Sequence, residues 1–336
     1  MSETRLGAQT IRFGRPPRVL GCAGVVGKKE GEGPLGGSFD VVETDAFCGE
    51  KTWEKAESRL LRTALAHAVE KAGRPLAEID VLFAGDLLDQ CIGTSFGLRD
   101  TGRPLLGLYA ACATMAEGLV LAAAAVSAGY ARTAAAMSSS HFCAAERQYR
   151  LPLEYGGQRA PTAQWTVTGA GALVLGAGAS GPSLTHAAVG RIVDAGVKDP
   201  AHMGAAMAPA VHDTLRAFFA ESGTAPGDYD LIATGDLGAP GSELLHDLFA
   251  RDGVTLSGRH VDCGTLIYDV SAQDVHAGGS GAGCGAAVLC GHLMRGLQKG
   301  KWRRLLFCGT GALLSPVSSA QGESIPAVCH VVAFLA

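Results

Sequence analysis

The sequence predicts a duplicated α/β fold. Two similar halves, related by a pseudo-twofold axis, each carry a parallel or mixed sheet covered on both faces by helices. Three observations support this. Asp80, Gly85, Asp86 and Leu87 recur as Asp230, Gly235, Asp236 and Leu237, at an offset of 150 residues with no gap. Gly129 and Arg132 recur as Gly300 and Arg303, each pair lying between a glycine- and alanine-rich helix and an apolar run. Each half also reads strand, helix, strand, helix, strand, strand. Solenoid repeats have periods of about 20–50 residues, so this one marks a fused duplicate. In such a fold a site is expected where the halves meet.

The elements follow in order. Helical stretches at 60–72 and 210–222 each stop at a glycine, Gly73 and Gly223. The apolar segments inside 78–88 and 228–238 are strands. The next helices run from about Ala113 to Ala128 and over 284–299, and lead into strands at 133–137 and Leu305–Cys308. Strands Ala170–Leu175 and Ala327–Leu335 close the two halves. Residues 11–180 make the first half and 181–336 the second.

Of the 336 residues 47% are apolar and only 18% charged, and the mean hydropathy is +0.20. Much of the excess is alanine and glycine, with 47 glycines in all. This composition favours closely packed helices and tight loops over a membrane protein. The Ala-rich run 118–128 is too short to cross a bilayer, and Ala327–Ala336 is half the roughly 20 residues a span requires. With no apolar signal region at Met1–Arg5, an intracellular protein without a transmembrane segment is expected. A net charge of −4 argues against nucleic acid as a partner. The ten cysteines show no CxxC and no zinc spacing, so reduced thiols and no metal site are expected.

Cys112 follows the apolar run Leu105–Ala111 and opens a helix. The positive end of a helix lowers a thiol pKa, and its free N–H groups can hold a carboxylate; the alternative is a buried structural cysteine. His276-Ala-Gly-Gly279-Ser-Gly-Ala-Gly283 begins the second copy of that helix, and Phe307-Cys308-Gly309-Thr310-Gly311 is a glycine turn after a strand. Such glycines serve either ligand approach or close packing. Asp236 either lines the pocket or, like Asp86, bonds its own turn. Lys28 and Lys29 after Gly27 mimic a phosphate loop, but the pattern needs Gly at 22 and Ser/Thr at 29, and the chain has Cys22 and Lys29. Arg147 and Arg150 read as a solvated basic pair, and 156–162 as a loop at the site entrance or the boundary between halves.

Taken together, these features resemble the thiolase and ketoacyl-synthase superfamily. The resemblance implies a five-layer αβαβα sandwich with mixed five-stranded sheets. It also implies a homodimer with strand 133–137 or nearby apolar edges at its interface. In that superfamily a cysteine is acylated, and second-half loops supply its acid/base partners. Cys112 matches the nucleophile, His276 is placed like the histidine of the thiolase Gly-His-Pro loop, and Cys308 lies near the C-terminal catalytic cysteine. The sequence also departs from the pattern. The loop after strand 229–234 is Thr234-Gly-Asp-Leu-Gly238, where condensing enzymes carry His-Gln-Ala-Asn or Asn-Glu-Ala-Phe, and Ala277 replaces the proline. The acid/base set is therefore incomplete.

Longer strings are similar to one branch, the stage V sporulation protein AD family. They are the stretch 18–36, Thr52-Trp-Glu-Lys-Ala-Glu-Ser58, Tyr109-Ala-Ala-Cys112-Ala-Thr-Met115, Ser138-Ser-Ser-His141-Phe142, Glu146-Arg-Gln-Tyr-Arg150 and Ala233–Gly238. This resemblance implies a non-enzymatic protein that binds dipicolinic acid (pyridine-2,6-dicarboxylate), alone or with Ca²⁺, during its uptake into the developing spore. It would work at the inner membrane beside membrane-embedded SpoVA proteins, with no cofactor of its own. The candidate ligand-binding residues are Cys112, His141, Asp236, His276, Gly279, Gly309 and Thr310, with hydroxyls of Ser139 and Ser140 assisting. One alternative is a cysteine-dependent acyltransferase using Cys112 and His276, with Cys308. Another is an interaction subunit that docks to a membrane channel through its apolar C-terminal residues.

Overall fold

The computed structural model describes residues 4–150, 158–178, 180–256 and 258–336. The first half contains β1 (Arg18–Val26), α1 (Trp53–Lys71), β2 (Val81–Gly85), α2 (Ile92–Leu98), β3 (Leu105–Gly107), α3 (Thr114–Ala128), β4 (Thr133–Ser140), α4 (Phe142–Tyr149), β5 (Trp165–Thr166) and β6 (Gly169–Gly176). The second contains β7 (Ser183–Ala188), α5 (Met203–Ser222), β8 (Leu231–Thr234), α6 (Gly238–Arg251), β9 (His260–Asp262), α7 (Cys263–Ile267), β10 (Gly279–Ser280), α8 (Ala282–Val288), α9 (Met294–Gln298), β11 (Arg304–Ala312) and β12 (Ala327–Leu335). A π-helical turn, Leu289–Leu293, joins α8 to α9.

The strand order is β9-β8-β11-β12-β7-β1-β6-β4-β2-β3. Each half is thus a five-stranded mixed sheet, and the two have one topology. In the first half β2 lies parallel to β3 and β4, while β6 runs antiparallel to β4 and β1. In the second, β8 lies parallel to β9 and β11, while β12 runs antiparallel to β11 and β7. The halves join edge to edge through one residue pair, Ser183 with Arg18. Residues Thr10–Arg12 cross over to pair with β7.

The duplication has a local cause. Asp80 accepts backbone N–H bonds from Arg132 and Thr133 at 2.7 and 3.2 Å, and Asp230 accepts them from Arg303 and Arg304 at 2.8 and 2.9 Å. Each carboxylate thus fastens the start of the neighbouring strand. Those backbone bonds hold both carboxyls below their ordinary pKa. Gly129 and Gly300 turn the chain ahead of these strands with φ of 83° and 72°.

The layers explain the alanine and glycine content. α1 packs on the outer face of the first sheet and α5 on that of the second, while α3 touches strands of both sheets. Sandwiched helices must approach closely. A Cβ at Gly171 would stand 2.2 Å from the Ala286 carbonyl oxygen, and one at Gly309 would stand 2.5 Å from the Ala116 Cβ. The stretch Ala111–Ala128 is long and apolar enough to cross a membrane, yet most of it is buried in this layer.

Two expectations fail here. Strand 133–137 lies in β4, hydrogen-bonded on both sides by β2 and β6, so it offers no edge to a partner. The first half's free edge is β3. The apolar residues 327–335 are β12, paired on both sides by β11 and β7 and buried as far as Phe334, which leaves only Leu335 and Ala336 at the surface.

Candidate ligand pocket

Cys112 sits in the bend before α3 rather than on the helix. Ala111 takes a left-handed φ of 50°. The Thr114 hydroxyl braces the bend, donating to the Ala111 carbonyl at 2.7 Å and accepting from the Ala110 N–H at 3.1 Å. The thiol faces a narrow cavity of about 50 Å³ that is also lined by Tyr109, Tyr149, Arg150, Met203 and Ser280. The Ser280 hydroxyl lies 3.9 Å from Sγ.

The expectation of a lowered thiol pKa is reversed. Burial and the nearby Asp236 carboxyl push the Cys112 thiol well above its ordinary value. A bend with few donors supplies too little of the helix dipole to offset that.

Asp236 is fully buried. One carboxyl oxygen accepts from the Thr310 hydroxyl at 2.5 Å, and the other accepts from the Ser280 hydroxyl and the Gly281 N–H, both at 2.9 Å. Burial raises its pKa to about 7 against the pull of these donors. Asp86 behaves differently: it accepts from the N–H groups of Leu88 and Thr94 at 2.8 and 2.7 Å, so it pins its own turn. In the second half that task passes to Asp262, which accepts from Leu237, Gly238 and Thr265 N–H groups. Asp236 is thereby freed to tie β11 to the start of α8 beneath Cys112.

The remaining candidates divide. Thr310 joins the network through both Asp236 bonds, to its carboxyl and from its N–H. Gly279 pairs with Trp165 in a two-stranded ribbon beside the pocket. Gly309 serves packing against α3, and Cys308 is buried in the second half's core. His276, with φ of 51°, turns to Asp274, Nε2 lying 3.3 Å from the carboxylate. His141 is buried, with Nε2 2.7 Å from the Ala46 carbonyl. Neither histidine lines the Cys112 cavity. Ser139 bonds Glu57, and Ser140 the Val167 carbonyl. Of the expected entrance loop, residues 156 and 157 lie outside the described residues.

Several pocket residues are missing from the ligand-binding set expected above: Tyr109, Tyr149 and Arg150 lie in the family-like strings, and Met203 in none. Tyr109 and Tyr149 share a hydroxyl contact of 3.1 Å, and the Tyr149 hydroxyl also donates to the Leu87 carbonyl at 2.9 Å. Arg150 pairs with buried Glu146 at 3.1 Å, and Glu146 also holds Arg159 and the Thr166 hydroxyl. Arg147 instead pairs with Glu54. Ser280 lay inside the glycine cluster already singled out; its place between two glycines that admit the backbone was its signal.

The family model of stage V sporulation protein AD (SpoVAD) matches residues 7–335. The chain belongs to the stage V sporulation protein AD family. Stage V sporulation protein AD of Bacillus subtilis (strain 168) is 42% identical over 328 residues, covering 98% of this chain and 97% of that protein. The fold is shared more widely. The 3-oxoacyl-(acyl-carrier-protein) synthase III of Aquifex aeolicus VF5 superposes with a TM-score of 0.58 at 11% identity, over 95% of this chain and 100% of its own. OleA of Xanthomonas campestris does so with a TM-score of 0.62 at 15% identity, over 97% and 99%. The family is thus one of sporulation proteins on a thiolase-like scaffold.

Proposed function

We propose that this chain is a non-enzymatic binding protein for dipicolinic acid, acting in its uptake into the developing spore beside membrane-embedded SpoVA proteins. The observation that carries the reading is the surroundings of Cys112. Where a nucleophile needs an oriented histidine or asparagine, it has a hydroxyl and a carboxyl already bonded to Thr310, Ser280 and Gly281, and the thiol is held well above its ordinary pKa. No histidine lines the cavity among the described residues. Its groups suit a flat dicarboxylate: Arg150 for charge, Tyr109 and Ser280 for hydrogen bonds, and Tyr149 and Met203 for apolar walls. At about 50 Å³ the cavity admits such a ligand only when the partly exposed Tyr109 and Arg150 swing outward. Ca²⁺ would enter as the ligand's counter-ion, because Asp236 and Glu146 already have partners.

Calorimetry on the purified chain tests this. Saturable binding of pyridine-2,6-dicarboxylate, weaker binding of the 3,4-isomer and loss on Arg150→Met are expected. No detectable heat from the 2,6-isomer refutes it. The acyltransferase alternative is tested separately by mass spectrometry after incubation with acyl-CoA; a thioester on Cys112 would establish it.

The chain also presents a surface for a second copy. β3 is an open edge, with Leu106 54% exposed, Phe96 58% and Tyr109 46%. A twofold-related copy would pair β3 with β3 and cover these side chains. Light scattering of the wild type and Leu106→Lys tests the dimer, which the lysine is expected to split.

A further inference from the structure

The basic side chains of this chain are unevenly placed. Residues 15–18, 129–132 and 299–304 carry seven lysines and arginines and no acid, in a chain whose net charge is −4. The fold brings these segments to one end. Arg304, Leu335, Ser183, Arg18, Gly176 and Thr133 are successive backbone neighbours across β11, β12, β7, β1, β6 and β4. Five strand spacings make that row about 24 Å wide. Arg15 and Arg18 lie at the start of β1, Arg132 precedes β4, and Lys299, Lys301 and Arg303 precede β11. Arg15 also reaches the turn ahead of β4, where a Cβ at Gly129 would stand 3.8 Å from its Nη2. β8 starts at this end too, the Asp230 N–H donating to the Arg304 carbonyl at 2.9 Å. Asp236 follows the far end of β8, so the Cys112 pocket lies at the opposite end of the strands.

Most of these cations lack a counter-charge. Arg132 lies 3.3 Å from Asp80. Arg18 donates to the Gly181 carbonyl at 2.7 Å, Arg304 lies 4.8 Å from the Tyr229 ring centroid, and Lys301 4.5 Å from that of Trp302. Neither these three nor Arg15, Lys299 and Arg303 make an ion pair among the described residues. The carboxylates facing them are few. Asp80 and Asp230 bond strand N–H groups, Asp228 accepts from the Ala225 N–H at 2.8 Å, and Ala336 brings its carboxylate beside Arg303. Glu78 is matched by Arg74 at 3.1 Å, and Glu221 lies further in, on the N–H groups of Ala8 and Thr10. Seven cations therefore face four carboxylates. Two half-buried histidines feel the surplus. Burial lowers the pKa of both; Arg12 and Arg304 push His186 further, and Lys301 and Arg295 do the same to His292.

Apolar groups stand among the charges. Tyr130 is 90% exposed and Leu335 42%, and Trp302 is half-buried. Aromatic side chains beside lysine and arginine suit the boundary between phosphate headgroups and acyl chains, whereas a polyanion with no apolar layer would leave them in water. We propose that this end of the molecule docks on an anionic lipid bilayer. The lysines and arginines meet the lipid phosphates, Tyr130 enters the interfacial layer, and the Cys112 pocket faces away from the lipid. The docking face is separate from that pocket and does not depend on what the pocket binds.

Cosedimentation of the full chain with vesicles of phosphatidylcholine and phosphatidylglycerol, against phosphatidylcholine alone, tests the proposal. Binding to the anionic vesicles only is expected, weakening as salt rises. Lys299→Glu combined with Lys301→Glu should lower the partition coefficient about tenfold or more, and Tyr130→Ser should lower it further. Lys51→Glu combined with Lys55→Glu makes the same change in net charge at exposed positions by the start of α1, and should leave binding nearly unchanged. Arg15→Gln combined with Arg303→Gln, a milder change, keeps the test open if charge reversal disturbs folding, which circular dichroism reads. The proposal is overturned if the wild type ignores anionic vesicles, or if the Lys51 and Lys55 pair matters as much as the Lys299 and Lys301 pair. It is also overturned if single-stranded DNA at equal phosphate concentration strips the chain from the vesicles, which would make the face a nucleic-acid site. Vesicle binding without dipicolinate binding refutes the pocket reading alone.

Discussion

Replacing Asp236 by asparagine should remove one strongly pH-dependent contribution to stability. Asp236 has a folded pKa of about 7 against an ordinary 3.8. The native state therefore holds a proton that the unfolded chain has lost between these values. Stability falls as pH rises from about 4 to about 7, and the full cost is present above the upper value. A difference of about three units at about 1.4 kcal/mol each gives roughly 4 kcal/mol. Asparagine keeps an acceptor for Ser280 and Gly281, and its amide can donate to the Thr310 hydroxyl. Urea denaturation of both proteins from pH 5 to pH 8 gives the test. Asp236→Asn should gain on the wild type by about 3 kcal/mol across that range, since about two of the three units fall within it. Glu30 and Glu57 titrate in both proteins and cancel in the difference, whereas Asp262, whose charge raises the Asp236 pKa, is part of the effect measured. Parallel pH profiles would refute the assignment. The same variant should bind dipicolinate less pH-dependently, since a dianion beside an ionised Asp236 is repelled.

Three further outcomes are expected. Cys112 should react with iodoacetamide at pH 8 more slowly than a free thiol, and faster in Asp236→Asn, because the carboxyl helps to raise its pKa; peptide mass spectrometry reads both rates. Asp80→Ala and Asp230→Ala should each cost about 1–3 kcal/mol in a denaturant midpoint, the loss of charge-assisted bonds to strand N–H groups. The double variant should be additive, because the two sites share no partner. Gly171→Ala should destabilise by about 1–3 kcal/mol or prevent folding, since its Cβ meets a backbone oxygen at 2.2 Å; an unchanged melting temperature would contradict the packing described.

The fold was legible because its repeat has a local cause in each half. Asp80 and Asp230 do one job, as do Gly129 and Gly300, and identical work leaves identical residues. The site was legible only where position along the chain decided it, as for Cys112 ahead of α3. Asp86 and Asp236 are the instructive pair. They share a residue type, a preceding glycine and a strand, yet only one pins its turn. What separates them is Asp262, 26 residues downstream by the numbering, which satisfies the second turn from a neighbouring strand. No local pattern reports such a long-range substitution. His276 misled for a similar reason: its left-handed backbone sends the ring toward Asp274, away from the cavity its neighbours flank. Tyr109, the pair Tyr149 and Arg150, and Met203 come from three stretches of chain that only the fold brings together.

β12 has a consequence for how the molecule is made. It occupies the interior of the second half's sheet, yet it follows in the chain both of the strands it lies between. Until residues 327–335 leave the ribosome, β11 and β7 have nothing between them, and the strap Thr10–Arg12 waits on a β7 whose other flank is bare. The first half can finish its sheet early. The second can only close around β12, so a nascent chain stalled before residue 327 would present two raw strand edges.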